Sequence, residues 1–496
     1  MLKSFLFKLT LYILFISKFA FADVNVMAPL MIDSESKWQE FEQRLISLKK
    51  NGVESISTDV WWGLVEKEYG NYDWSVYKRM AKLIKDAGLK WTPIMSFHQC
   101  GGNVGDDCNI PIPKWVWEKS KNKKILSLFS EHEFQTQSET DIQYLSELGQ
   151  RNNEHPSVWS SPHTVQYYKN FLKNFISEFS DYQSDINEIN ISLGAAGELR
   201  YPSYNSHDQG QEKSIALFPN RGSFQGMSDL AKFSFNDYMQ IKYQTNKRYK
   251  LPSMEEFSDL MDNGLQNTEF GKDIFDWYQA SLFKHGEIVL TELDQVKSQT
   301  LFRSIPLGSK VPGIHWNMGI DHGLGEGFTW SHRLSEMTAG LISSNDENLF
   351  ITEKGAGYDR LLSHLSQVRR KLQSPFILHF TCLEMNNNDN ADMKANSMAK
   401  SLVHWFGNQT KKHDLKLKGE NALEGLLYQK QSWKNIKDAI DYSHYSGLTI
   451  LRMGPLTDNE QVQQEIKTLD RHLKDLKAKK IKKRKYPKCF SLLRNF

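Results

Sequence analysis

Cysteine is scarce, with four in 496 residues, and no cluster of Cys and His accompanies them at the spacing a zinc site needs. Long apolar runs are equally few. After the stretch Leu9 to Phe21 no segment is long and apolar enough to span a bilayer, which takes about 20 residues. There is no internal repeat, and the only low-complexity segment is a basic one near the C-terminus. These absences argue against a repeat architecture, a multi-span membrane protein and a zinc-built scaffold. What is left is a long chain with ample apolar content for a large core, consistent with one barrel carrying long insertions or with two domains.

The first residues carry a pattern of their own. Met1-Leu-Lys3 and Lys8 precede the apolar stretch, and Ala20 and Ala22 form an A-x-A pattern, the layout of a secretory signal peptide. Ser17 and Lys18 shorten the apolar run below the length of a membrane anchor. Residues 1–22 are therefore expected to be removed and the remainder exported, to a periplasm or to the medium. Charge is uneven beyond that point. Lys474 to Lys488 carries nine Lys or Arg against one Asp, so an acidic body precedes a basic tail. An acidic exported body makes nucleic acid a poor partner. The tail is expected as a solvated helix with a disordered end, the alternative being electrostatic attachment to an anionic surface. In an oxidising compartment Cys100 and Cys108, close in sequence, are expected to pair. Cys382 lies in an apolar run and reads as a buried thiol, and Cys489 stands alone in the tail.

Eight β-rich segments recur: Val24 to Leu30, Ser55 to Trp62, Trp91 to His98, Ile186 to Leu193, Lys310 to Trp316, Phe376 to Met385, Leu415 to Gly419 and Leu448 to Met453. Several are continuously apolar, as parallel strands buried on both faces are. Helical periodicity marks Trp38 to Lys50, Trp74 to Ala87, Val165 to Phe179 and Trp433 to Tyr442. Asp73 and Gly88 bracket the second of these as N-cap and C-cap. Alternating strands and helices in this number predict an α/β fold, a (β/α)8 TIM barrel over residues 23–458, with a basic C-terminal helix and tail over residues 459–496. The stretches 99–185 and 199–309 are long insertions at the C-terminal ends of strands, the face on which barrel enzymes build their sites.

Polar residues gather at those strand ends. Asp59 ends the second strand, His98 the third, and Glu198 follows the fourth. Lys310 and His315 flank the fifth, Thr381 and Glu384 lie late in the sixth, Glu420 and Asn421 follow the seventh, and Arg452 lies late in the eighth. All can face one cleft. Two carboxyls on separate strand ends suit cleavage of a glycosidic bond, one protonating the leaving oxygen while the other activates water or attacks the anomeric carbon. Trp61, Trp62, Tyr201 and Tyr204 are candidates for flat faces against sugar rings.

Six stretches resemble the β-amylase family, the enzymes that release β-maltose from α-glucans: Thr58 to Gly63, His98 to Pro113, Gly197 to Tyr204, Gly313 to Trp316, Phe380 to Met385 and Gly419 to Leu423. They occur in the family's order, and the similarity covers roughly residues 24 to 456. The resemblance implies exo-hydrolysis of α-1,4-glucosidic bonds in starch, glycogen and maltodextrins from the non-reducing end. It implies Glu198 as general acid and Glu420 as general base. Asp59, His98 and Asp106 would hold the terminal glucose units, Asp106 on a loop that closes over substrate. Lys310 and His315 would make further glucan contacts, with Thr381 in the inner loop and Asn421, Ala422 and Arg452 completing the set. Inversion would set the two carboxyls about 6.5 to 9.5 Å apart. Lys310 is a candidate for keeping Glu420 charged.

Three stretches depart from the family's usual pattern. Glu424-Gly425 follow where Pro is usual, and Asn317-Met-Gly follow Trp316 where plant members carry aromatics. The loop Glu66-Lys-Glu-Tyr-Gly-Asn71, near which some bacterial relatives hold calcium, is altered. No cofactor is required by the chemistry, and calcium stays an open option. A monomer is expected. Two other readings stand beside the enzyme: a catalytically silent glucan-binding protein of the same fold, and a barrel hydrolase acting on β-linked glucans.

Overall fold

A computed structural model describes residues 23–101, 108–204, 221–316, 333–346, 349, 357–387 and 397–485. The expected signal peptide, Asp106 and Cys489 lie outside the described residues.

Eight parallel strands close into a barrel in chain order: β1 (Val24–Met27), β2 (Ser55–Trp61), β3 (Lys90–Ser96), β4 (Ile189–Ile191), β5 (Leu307–Val311), β6 (Phe376–Phe380), β7 (Lys416–Glu420) and β8 (Tyr445–Ile450). All eight expected strands are present. The fifth begins at Leu307 rather than Lys310, because Gly308, Ser309 and Lys310 interrupt the run of apolar residues by which a buried strand is read. The sixth stops at Phe380, where the chain turns inward through Cys382 at φ +73°.

The helices outside the barrel follow from spacing and capping. Glu35–Lys50 buries Trp38, Phe41, Leu45 and Leu48, one stripe of a 3.6-residue period. Ser34 caps it by accepting from the Lys37 amide, and Lys49 and Lys50 sit at its negative end. In Ser75–Asp86 the cap position is Trp74 rather than Asp73. Asp73 still satisfies an early amide, accepting from Ser75 N–H at 2.9 Å. Gly88 takes the left-handed turn after that helix, at φ +70°.

The insertion after β3 holds two short antiparallel pairs, Lys124–Leu126 with Glu133–Gln135 and Tyr144–Leu145 with Arg151–Asn152, before the helix Ser161–Glu178 returns to the barrel wall. The insertion after β4 holds Asp229–Lys242 and Met254–Asp262 and ends in the long helix Glu269–Ser298. Among the described residues, no helix is long and apolar enough to cross a membrane.

The C-terminal helix Glu460–Lys485 differs from the solvated helix expected of its charge. Val462, Ile466, Leu469 and Leu473 are buried and belong to the main core, and Lys437 and Asp441 of the helix Lys430–Tyr442 pair with Glu465 and His472. Asp470 lies so close to Gly52 that any β-carbon there would stand 2.7 Å from its carboxyl carbon. A four-three-four apolar spacing is hidden in a segment whose composition is dominated by Lys.

Candidate active site

Glu198 reaches the cleft through a tight turn after β4. Gly194 passes so close to the Arg200 carbonyl that a β-carbon would lie 2.4 Å from it. Ala196 and Gly197 both take positive φ, and the Ala196 amide donates to Glu154 Oε1 at 2.9 Å. The turn lays Glu198 beside Lys310 in a parallel bridge, with Leu199 N–H donating to the Lys310 carbonyl at 2.8 Å. Arg200 Nε donates to Glu198 Oε2 at 2.8 Å, and its buried guanidinium lies 4.2 Å from the ring centre of Tyr204. Burial pushes the Glu198 carboxyl above the usual range, outweighing the downward pull of Arg200 and Lys310.

Glu420 closes β7. Burial would push this carboxyl up as well, but Lys310 Nζ at 2.9 Å on Oε2 and His379 Nδ1 at 3.4 Å from Oε1 outweigh it and hold it at about 2. The loop behind it is fixed from below. Glu384 accepts from the Ala422 and Leu423 amides, and the Asn421 side chain exchanges hydrogen bonds with Leu451 N–H and C=O at 2.7 and 3.0 Å. Glu384 and Asn421 are both fully buried, and their side chains bond to the backbone of this loop and of the neighbouring strand end. The altered stretch that follows forms a 3-10 turn, Glu424–Tyr428.

The other strand-end residues surround these two. Asp59 accepts from Ser96 Oγ at 3.1 Å and lies 4.0 Å from Arg452 Nη1, which also donates to the Ala28 carbonyl at 3.1 Å. His98 shares a hydrogen bond with Ser192 Oγ at 2.9 Å, and burial, with help from Lys310 and Arg200, keeps it neutral by lowering its pKa to about 3. His315 pairs with Ser397 Oγ at 2.8 Å and is likewise neutral, burial lowering it to about 4. Both rings can exchange hydrogen bonds with hydroxyls without presenting a charge. From His315 the rings of Trp316 and Tyr204 lead on to Arg200 and so to Glu198. Thr381 is half-buried just past β6, where Gly313 leaves room for it: a β-carbon at 313 would meet Thr381 Cγ2 at 3.1 Å.

The aromatic platforms expected of Trp61, Trp62 and Tyr201 are not there. Trp62 packs edge-on against Phe97, Trp115 and Tyr168, and Trp61 gives its indole N–H to the Leu30 carbonyl beside Cys100 and Ile110. Tyr201 stacks on Tyr278 at 3.7 Å with its hydroxyl donating to the Tyr278 carbonyl. Each is a core residue whose polar tip has found a buried partner. Tyr204 stays half-buried, with one face turned to Arg200.

Cys100 and Cys108 are bridged, their Cα atoms 5.7 Å apart, and Cys382 is a buried free thiol. Asp106 lies between these two cysteines in the sequence. At the altered loop after β2, Glu66 gives one oxygen to the Trp62 indole and the other to the Gly70 amide. Among the described residues, no group of three His, Cys, Asp or Glu side chains is placed to hold a metal ion.

The residues that sequence reasoning passed over are Arg200, Glu188 and His379. Arg200 stood inside a recognised motif without a role. His379 sits in the strand Phe-Ile-Leu-His-Phe, where a single His reads as core.

Comparison with known proteins places this site in context. The profile described as Glycosyl hydrolase family 14 matches residues 25–480. The "Thermophilic beta-amylase" of Thermoanaerobacterium thermosulfurigenes is 34% identical over 486 residues, covering 92% of this chain and 76% of that protein. The "Beta-amylase" of Cytobacillus firmus is 33% identical over 88% of this chain and 83% of its own length. The crystal structure of the catalytic domain of beta-amylase from Paenibacillus polymyxa superimposes with a TM-score of 0.71 at 31% identity, covering 90% of this chain and 98% of that one.

Proposed function

The chain belongs to glycosyl hydrolase family 14, the β-amylase family, and we propose that it cleaves α-1,4-glucans from the non-reducing end by an inverting step in which Glu198 is the acid and Glu420 the base. The observation that carries this division of labour is the pair of opposite electrostatic settings: Glu198 is raised by burial, whereas Glu420 is held down by Lys310 at 2.9 Å and by His379.

In the step itself, Glu198 delivers its proton to the glycosidic oxygen as the C1–O bond breaks. Glu420 takes a proton from a water molecule whose oxygen bonds to C1 from the opposite face. Atoms balance with the glucan, one water and two carboxyls. Proton transfer back through solvent restores Glu198 to its acid form and Glu420 to its ionised form. Asp59 and Arg452, with neutral His98 and His315, offer donors and acceptors for the hydroxyls of the terminal sugars. Asp106, between Cys100 and Cys108 in the sequence, would close over them. Starch, glycogen and maltodextrins all present the non-reducing ends this reading requires. Export through residues 1–22 would bring the enzyme to such a polymer.

The test is proton NMR of the purified protein acting on maltopentaose, observing the anomeric signal of the first product. β-Maltose appearing before mutarotation is the expected result. α-Anomers or mixed internal fragments would refute the inverting exo-mechanism, and activity on a β-linked glucan alone would refute the substrate.

A further inference from the structure

Behind the base, the barrel interior is charged rather than apolar. His379 projects inward from β6, with Nε2 2.5 Å from Glu188 Oε1 and Nδ1 3.4 Å from Glu420 Oε1. Nδ1 has no hydrogen-bond partner, so it meets Glu420 as a charge contact rather than through a hydrogen bond. Glu188, just ahead of β4, gives its second oxygen to Lys418 Nζ at 2.9 Å, and Lys418 reaches Asp23 Oδ2 at 3.1 Å. Lys310, His379 and Lys418 are lateral neighbours in the register of β5, β6 and β7. Read in order, Asp23, Lys418, Glu188, His379, Glu420 and Lys310 alternate in sign. Gly308 makes room for the chain, since a β-carbon there would lie 2.3 Å from Glu188 Oε1.

A neutral imidazole does not fit the fourth place. It carries one N–H and one lone pair, so whichever carboxylate faced the lone pair would meet it oxygen against nitrogen, in a buried site where that repulsion is poorly screened. The imidazolium donates to Glu188 and turns an N–H, and its positive charge, toward Glu420. Burial disfavours the charged ring, but Glu188 and Glu420 together outweigh it and raise its pKa. Glu420 sees the cations Lys310 and His379 and, opposing them, the like-charged Glu198. Lys310 sees Glu420, Asp59 and Glu198. Glu188 sees Lys418 and His379.

We propose that His379 is a positioning residue for the base: clamped as an imidazolium between Glu188 and Glu420, it fixes Glu420 Oε1 opposite the Lys310 contact on Oε2 and keeps the carboxylate ionised. The proposal rests on the reading of Glu420 as the base. A merely structural buried ion pair would hold the strands together without affecting the ionisation of the reacting group.

The experiment measures the pH profile of kcat/KM on maltopentaose for wild type, His379→Asn, Glu188→Gln and Glu420→Gln, with thermal unfolding recorded for each. His379→Asn is expected to move the acid limb up by about one pH unit and to lower kcat roughly tenfold, with KM little changed. Glu188→Gln keeps the shape of the contact while removing its charge. It carries the test if the asparagine variant does not fold, and its acid limb is expected to move the same way by a smaller amount. An acid limb unmoved in the folded variants, with Glu420→Gln inactive, would overturn the role of His379 while leaving the base in place. Wild-type turnover in Glu420→Gln would instead overturn the base assignment, and this proposal with it.

Discussion

Glu198, half-buried, and Glu420, buried, both stand at the C-terminal ends of barrel strands, yet their surroundings push them in opposite directions. Burial raises both. The difference lies in the cations. Glu420 has a separate positive group near each oxygen, Lys310 on one side and His379 on the other. Glu198 has Arg200 on a single oxygen, and that guanidinium is shared with the Tyr204 face. At Glu198 the pull of Arg200 and of the more distant Lys310 does not offset desolvation and the charge of Glu420, whereas at Glu420 the two facing cations do. Burial alone therefore does not decide which carboxyl is the acid.

The largest effect should come from removing either carboxyl. Glu198→Gln and Glu420→Gln should each lower kcat by roughly a thousandfold or more with the fold retained, as checked by circular dichroism and steady-state assays on maltopentaose. A variant that keeps wild-type rate would break the pairing of roles.

Lys310→Gln should come next. It removes the closer cation from Glu420, so the acid limb of kcat/KM should move up by roughly one to three pH units. The alkaline limb, which reports Glu198, should move less. Stability should fall by about 3 to 5 kcal/mol, because a buried charge pair is broken, and urea unfolding would measure it. Equal movement of both limbs would mean that Lys310 acts on the two carboxyls alike.

The smallest effects, and the sharpest contrast, lie in stability against pH. The folded pKa of Glu420 is depressed, so its contribution is present above its unfolded value of 4.5 and is lost as pH falls toward about 2. The folded pKa of Glu198 is raised, so the native state binds the extra proton and stability declines as pH rises above 4.5 toward the folded value. At pH 7 Glu198→Gln should therefore raise Tm by roughly 2 °C, and Glu420→Gln should lower it by a similar amount. Calorimetry at pH 7 and pH 4 checks both. A shift of the same sign in the two variants would show that the contrast between the sites is not electrostatic.

Much of this was legible in the chain. The eight strands stood out because buried parallel strands are nearly continuous in apolar residues, and the site residues stood out because polar side chains at strand ends interrupt that pattern. The errors share a cause. Trp62 and Tyr201 were read as sugar platforms because they neighbour polar motifs, and a sequence neighbour does not reveal which way a side chain points. Glu384 looked like a cleft residue, but its carboxylate is spent on the Ala422 and Leu423 amides. The C-terminal helix looked solvated because its Lys content masked the stripe Val462, Ile466, Leu469 and Leu473.

The amino-acid sequence by itself determined the barrel and the family and singled out Glu198 and Glu420 as candidates, because strand periodicity and short motifs are local properties of the chain. Only the tertiary structure decided how those carboxyls differ in charge. Glu420 meets Lys310 across 110 residues and Glu188 meets His379 across 191. Electrostatic interaction depends on distance in space and on exclusion of water, and neither exists until the barrel has closed.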